Sequence, residues 1–194
     1  WWDDLWLNES FAEFMAYHAM AEGTTAFADS WTGFAAGRKA WGYRQDALSS
    51  THPIAADAPD LHTARMNFDG ITYAKGASVL RQLVAFVGVD NFMAGVREYF
   101  RKHAWGNTVL ADLLVELERA SGRDLSRWTE TWLQHAGTNT LLPEVSVDED
   151  GRLSALTVRQ TAPADQLARG RLQVSSQRAQ QRGLAAAVGA DDGG

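Results

Sequence analysis

The sequence predicts a mainly α-helical chain that closes on a short β-hairpin, and three observations carry that prediction. A grammar of helix N-cap, apolar stripe and C-terminal Gly repeats along residues 1–141. The first helix is apolar on nearly every side, which places it in a core. After Pro143 the apolar residues change to a spacing of two around a Gly-containing turn.

Leu5, Ala12, Ala16 and Met20 share a helical face with Glu9, while Leu7, Phe11, Phe14, Met15 and His18 crowd the other side, and Gly23 stops the helix. A second helix is expected over 26–48, with Phe27, Trp31, Phe34, Ala35, Arg38 and Trp41 on broadly one side. Two prolines among Ser, Thr and Asp make 49–68 a long loop, the kind that is often functional. Asp69 then caps a helix running to about Val87. Asp90 caps the next, with Phe92, Val96, Tyr99 and Phe100 inward. Thr108 caps another that stops at Gly122, and Asp124 opens a last one bearing Leu125, Trp128, Trp132 and Leu133. Successive helices with short connections predict a packed helical lobe.

Val145, Val147, Leu153, Leu156 and Val158 flank Asp148–Arg152 as the two arms of a hairpin. Three regions follow: a helical part over 1–141, the opening of a β domain over 142–165, and a tail over 166–194. The tail has no steady period and few large apolar residues, so it is expected to be disordered.

Composition narrows the function. The 194 residues carry 45% hydrophobic and 22% charged residues, as ordinary folded proteins do. A net charge of −6 gives no footprint for nucleic acid. No apolar run approaches the ~20 residues that a membrane helix requires. Cys is absent, which excludes disulfides and thiolate metal sites and fits a cytoplasmic location.

Two residues stand out chemically. Glu9 puts a carboxylate inside the apolar first helix, and a buried carboxylate needs a cationic partner or a metal. Tyr73 shares a face with Gly76, Ala77 and Leu80. A Gly inside a helix costs ~1 kcal/mol relative to Ala, so a close approach of another backbone or side chain is expected at Gly76. On spacing alone, the ordinary roles are a salt-bridged Glu and a packing Tyr.

The surrounding residues add to this. Trp-Trp-Asp-Asp-Leu-Trp-Leu-Asn-Glu-Ser-Phe-Ala at residues 1–12 resembles the segment bearing the third zinc ligand in the aminopeptidase N family of zinc metallopeptidases. Asp-Gly-Ile-Thr-Tyr-Ala-Lys-Gly-Ala at residues 69–77 is similar to that family's Tyr-x-Lys-Gly-Ala segment. The resemblance extends to about residue 165 and includes Thr-His-Pro at 51–53. It implies the C-terminal helical lobe of a thermolysin-like catalytic domain, with the hairpin opening a β-sandwich. It implies Glu9 as a ligand to one Zn²⁺ ion and Tyr73 as a donor to the oxyanion formed on a peptide carbonyl. It also implies peptide substrates cleaved at the N-terminal residue.

The family's two zinc-binding imidazoles and its general base come from a His-Glu-x-x-His helix. The five histidines here are His18, His52, His62, His103 and His135, and no two are four apart. The chain also begins with Trp. It is therefore read as a piece of a longer polypeptide that supplies those groups, and it is expected to be inactive by itself. The family's Gly-x-Met-Glu-Asn segment, which binds the substrate amino group, is absent too. His52, beside a proline and without a partner His, is expected to be structural. Glu13 is assigned to a salt bridge rather than to a zinc-binding His, and Lys75 to a solvated or supporting role. Two other readings stay open: a related zinc epoxide hydrolase, and a non-catalytic helical interaction module.

Overall fold

The computed structural model describes residues 2–163. The chain divides into two compact units between Gly137 and Thr138. The tail predicted from residue 166 lies outside the described residues.

The first unit is helical, as the sequence predicts. A 3₁₀ turn (Trp2–Asp4) leads into α1 (Leu5–Gly23). Then come α2 (Ser30–Gly33), a first π-turn (Phe34–Arg38) and α3 (Lys39–Asp46). α4 (Leu61–Met66) is followed by a second π-turn (Ile71–Lys75), which runs without interruption into α5 (Gly76–Val87). α6 (Val89–His103), α7 (Leu110–Ser121) and α8 (Ser126–Leu133) complete it.

Helix α1 packs on α5 and the second π-turn, α3 packs on that same π-turn, and α6 packs on α7. The core between them includes Trp6, Phe14, Ile71, Leu80, Phe92 and Leu117, each at most 2% exposed. Phe14 and Phe92 meet edge to face with ring centroids 5.6 Å apart, a favoured aromatic geometry. Asp3 and Asp4 fasten the start of the chain: Asp3 accepts from the Ala58 amide at 2.6 Å and Asp4 from the Leu110 amide at 3.2 Å. Among the described residues no single helix is long and apolar enough to cross a membrane.

Several details differ from the sequence expectations. The second helix begins at Ser30, and Phe27 lies exposed before it. The segment read as a loop contains α4, whose N-cap Asp60 accepts from the Thr63 amide at 2.7 Å. The flanking prolines hid this short helix. Asp90 lies in the first turn of α6, which starts from Gly88 at φ 88°. Thr108 bonds the Tyr99 hydroxyl at 2.6 Å, and Asp112 takes the Val109 amide at the start of α7. Phe100 is exposed, with Phe11 against its ring edge.

The second unit holds an antiparallel pair, β1 (Thr140–Val147) and β2 (Leu153–Thr161). Val145 stands opposite Leu156 and Pro143 opposite Val158. Asp148 closes the turn by accepting the amides of Asp150 and Arg152, and Gly151 takes φ 77°, which a side chain would oppose. This is the expected hairpin.

Candidate active site

Ser10 sets the geometry. It is fully buried on α1, and its hydroxyl donates to the Thr72 carbonyl on the second π-turn. Gly76 makes this approach possible, because a Cβ there would stand 2.7 Å from the Ser10 Cβ. The close contact expected at Gly76 is therefore present, and its partner is Ser10. Joining Ser10 to Thr72 brings their neighbours, Glu9 and Tyr73, to the same place.

The Tyr73 phenol is pushed up to about 12, first by burial and then by the hydrogen bond to Glu9; the charges of Glu9 and Glu13 add to this and Arg38 opposes it. The phenol thus stays protonated across the neutral range and remains a hydrogen-bond donor. Its ring lies between Trp41 and Phe68, each with its centroid 6.4 Å away.

Glu9 is half-buried rather than enclosed. Asn8 donates to one of its oxygens at a long 3.3 Å. Among the described residues no Lys, Arg or His pairs with Glu9, whereas Glu13, Asp46 and Glu116 each have a cationic partner. Glu13 is held by Arg38 through two bonds of 2.8 and 2.6 Å, the salt bridge predicted for it. The Arg38 guanidinium also lies 4.6 Å over the Trp41 ring.

Of the two roles expected for Lys75, solvated or supporting, the structure shows the supporting one. Its ammonium pairs with Asp46 at 2.8 Å, with the two side chains 13% and 1% exposed. Asp46 also accepts from the Thr51 hydroxyl at 2.7 Å and the Gly137 amide at 3.0 Å. Sequence reasoning had no access to this partner, because Asp46 and Lys75 meet only through tertiary packing. His52 is structural, as expected. One ring nitrogen lies 2.7 Å from the Pro53 carbonyl and the other 3.2 Å from Asp69. Burial alone would lower its pKa, but the bonds to Asp69 and Pro53 and the Asp69 charge reverse this and raise it. Asp69 in turn accepts the amides of Ile71 and Thr72 at 2.9 and 3.1 Å, the predicted cap of the Tyr73 segment.

The donor set fits a metal in part. Among the described residues no three His, Asp or Glu side chains converge. Glu9 offers one carboxylate without a cationic partner among the described residues, an oxygen donor that suits a metal ion.

The helical lobe thus presents a carboxylate beside a protonated phenol. The Peptidase family M1 domain matches residues 1–132, and the chain belongs to that family. It is 57% identical over 166 residues to "Aminopeptidase N" of Streptomyces lividans, covering 84% of this chain and 19% of that protein. It is 38% identical over 163 residues to "Tricorn protease-interacting factor F2" of Thermoplasma volcanium, covering 82% and 20%. It is 36% identical over 156 residues to "Leucyl aminopeptidase" of Saccharolobus solfataricus, covering 80% and 19%. The chain thus spans about a fifth of the length of these relatives, two of which are named as aminopeptidases.

Proposed function

We propose that this chain is the part of a zinc-dependent aminopeptidase that contributes the metal ligand Glu9 and the oxyanion donor Tyr73. The observation that carries this reading is the half-buried Glu9 carboxylate, without a cationic partner among the described residues, facing a phenol that stays protonated at neutral pH. Its membership of the M1 peptidases and the aminopeptidase names of its relatives support it.

A zinc ion bound there supplies Lewis acidity toward a peptide carbonyl and its attacking water. The chain's own residues do the rest of the local work. The Glu9 carboxylate holds one coordination position, with two imidazoles and the general base belonging to the remainder of a longer polypeptide. Tyr73 aims an O–H at the carbonyl oxygen as it gains negative charge, so it stabilises the transition state more than the ground state. Glu13, tied to Arg38, leaves Glu9 as the unneutralised carboxylate of that helical turn. The substrate is a peptide losing its N-terminal residue. The absence of Cys favours a reducing compartment such as the cytoplasm.

The test is zinc titration by calorimetry on a polypeptide extended upstream to include the imidazole-bearing helix. Glu9→Ala is expected to weaken zinc binding at least ~100-fold, the upper end of losses seen on disturbing a metal site. Peptidase turnover is expected to disappear with it. Unchanged zinc affinity and unchanged turnover would refute the assignment. The 194-residue chain alone is expected to leave aminoacyl substrates intact.

A further inference from the structure

The second π-turn is the least regular part of the helical unit, and three clamps hold it. In it the Lys75 amide reaches back five residues to the Gly70 carbonyl at 2.9 Å, a carbonyl it shares with the Ala74 amide at 3.1 Å. Such a turn carries one residue more than an α-turn, so it rotates all that precedes it by about 100° relative to the following helix. π-turns are rare and need support from their surroundings. Asp69 secures the start and Ser10 the middle. The end, where α5 begins, is held by Lys75 through its pair with Asp46.

That pair is costly as a stabilising device. Burying two charges recovers little more than an apolar pair would give, whereas a fixed ion pair specifies geometry. Asp46 is itself fixed from three sides, by Lys75, the Thr51 hydroxyl and the Gly137 amide, and Lys75 donates to the Gly137 carbonyl as well. Gly42 lets α3 carry Asp46 close, since a Cβ there would lie 3.2 Å from the Lys75 amide nitrogen.

We propose that the Asp46–Lys75 ion pair is a positioning device that locks the second π-turn and so aims the Tyr73 phenol at Glu9. Neither residue touches the reacting atoms. The catalytic consequence rests on the oxyanion role proposed for Tyr73, whereas the geometric claim stands without it.

The experiment is a pH titration of the 194-residue chain labelled with ¹³Cζ-tyrosine, whose four Tyr signals are assigned by Tyr→Phe substitution. In the unaltered chain Tyr73 titrates at about 12. The neutral double variant Asp46→Asn/Lys75→Gln is expected to keep its helical circular dichroism while the Tyr73 midpoint falls at least ~1 unit, tenfold in acidity. Lys75→Arg, which keeps the charge, is expected to retain the high midpoint. A folded double variant with the Tyr73 midpoint unmoved overturns the proposal. If the double variant does not fold, Thr51→Val decides instead: it loosens Asp46 without stranding a charge, a smaller fall supports the device and no fall overturns it.

A kinetic arm separates the two readings. In the longer, active polypeptide the double variant is expected to lower kcat by about 10- to 100-fold with KM within about twofold, as misplacement of a catalytic group does. On a Tyr73→Phe background it is expected to add less than about twofold. Additive losses there would overturn the positioning role. Full activity of Tyr73→Phe alone would instead remove the oxyanion reading and leave the titration to judge the geometry.

Discussion

Ser10 and Gly76 face each other with no room for one more methyl group, since a Cβ at position 76 would sit 2.7 Å from the Ser10 Cβ. Gly76→Ala is therefore expected to destabilise the chain by about 1–3 kcal/mol, although Ala is the better helix former. Ser10→Gly alone removes the hydroxyl bonded to the Thr72 carbonyl and is expected to cost about 1–2 kcal/mol. Combined, the two should cost less than their sum by at least ~0.5 kcal/mol, because the clash then has no partner. Urea unfolding followed by circular dichroism measures the cycle, and simple additivity would contradict the contact.

Tyr73→Phe keeps the ring between Trp41 and Phe68 and removes the hydroxyl alone. In the longer, active polypeptide kcat should fall roughly 10²–10³-fold, or about 3–4 kcal/mol, with the melting temperature nearly unchanged. Steady-state kinetics on an aminoacyl amide gives the answer, and a fall of less than threefold would count against an oxyanion donor.

Glu9→Gln tests the adjacency without requiring activity. After burial, the hydrogen bond and charge of Glu9 are what push the Tyr73 phenol up to about 12. A neutral amide at position 9 should bring the midpoint down toward the ordinary 10.0 of a phenol, read by ¹³Cζ-tyrosine NMR. An unmoved midpoint would place the two groups apart.

His52 predicts a pH dependence of folding. Its pKa is raised above the ordinary 6.5, with burial and the Lys75 charge opposing and Asp69 and the Pro53 carbonyl prevailing. The folded state therefore holds the proton more tightly than the unfolded chain does. The stabilisation is complete below pH 6.5 and fades as pH rises through the higher folded value. Chemical denaturation across the neutral range should show stability declining on that account, and His52→Gln should flatten the decline. A slope unaffected by His52→Gln would rule out His52 as its source.

Much of this was legible in the sequence because it depends on local chemistry. Gly76 inside a helix announced a close approach, Asp69 announced a cap, and Gly151 between apolar arms announced a hairpin. The rest depends on residues distant in the chain. Nothing near Lys75 points to Asp46, and a periodicity argument built on 3.6 residues per turn cannot register a turn that holds one residue more. The same assumption of long uniform helices put Phe27 within the second helix and Phe100 inward, whereas Phe27 precedes that helix and Phe100 is exposed. Glu9 was singled out on the expectation of full burial. It is half-exposed, and what sets it apart is the Tyr73 phenol hydrogen-bonded to it.

Residue count is critical between Asp69 and Gly76, where the turn holds one residue more than an α-turn. Deleting one position there would produce a smoother rod, as helical by spectroscopy. Its aromatic hydroxyl would nonetheless swing about a quarter turn off target. Selection for helical content would pass such a variant, so length-altering libraries over this segment need a readout of where that hydroxyl points.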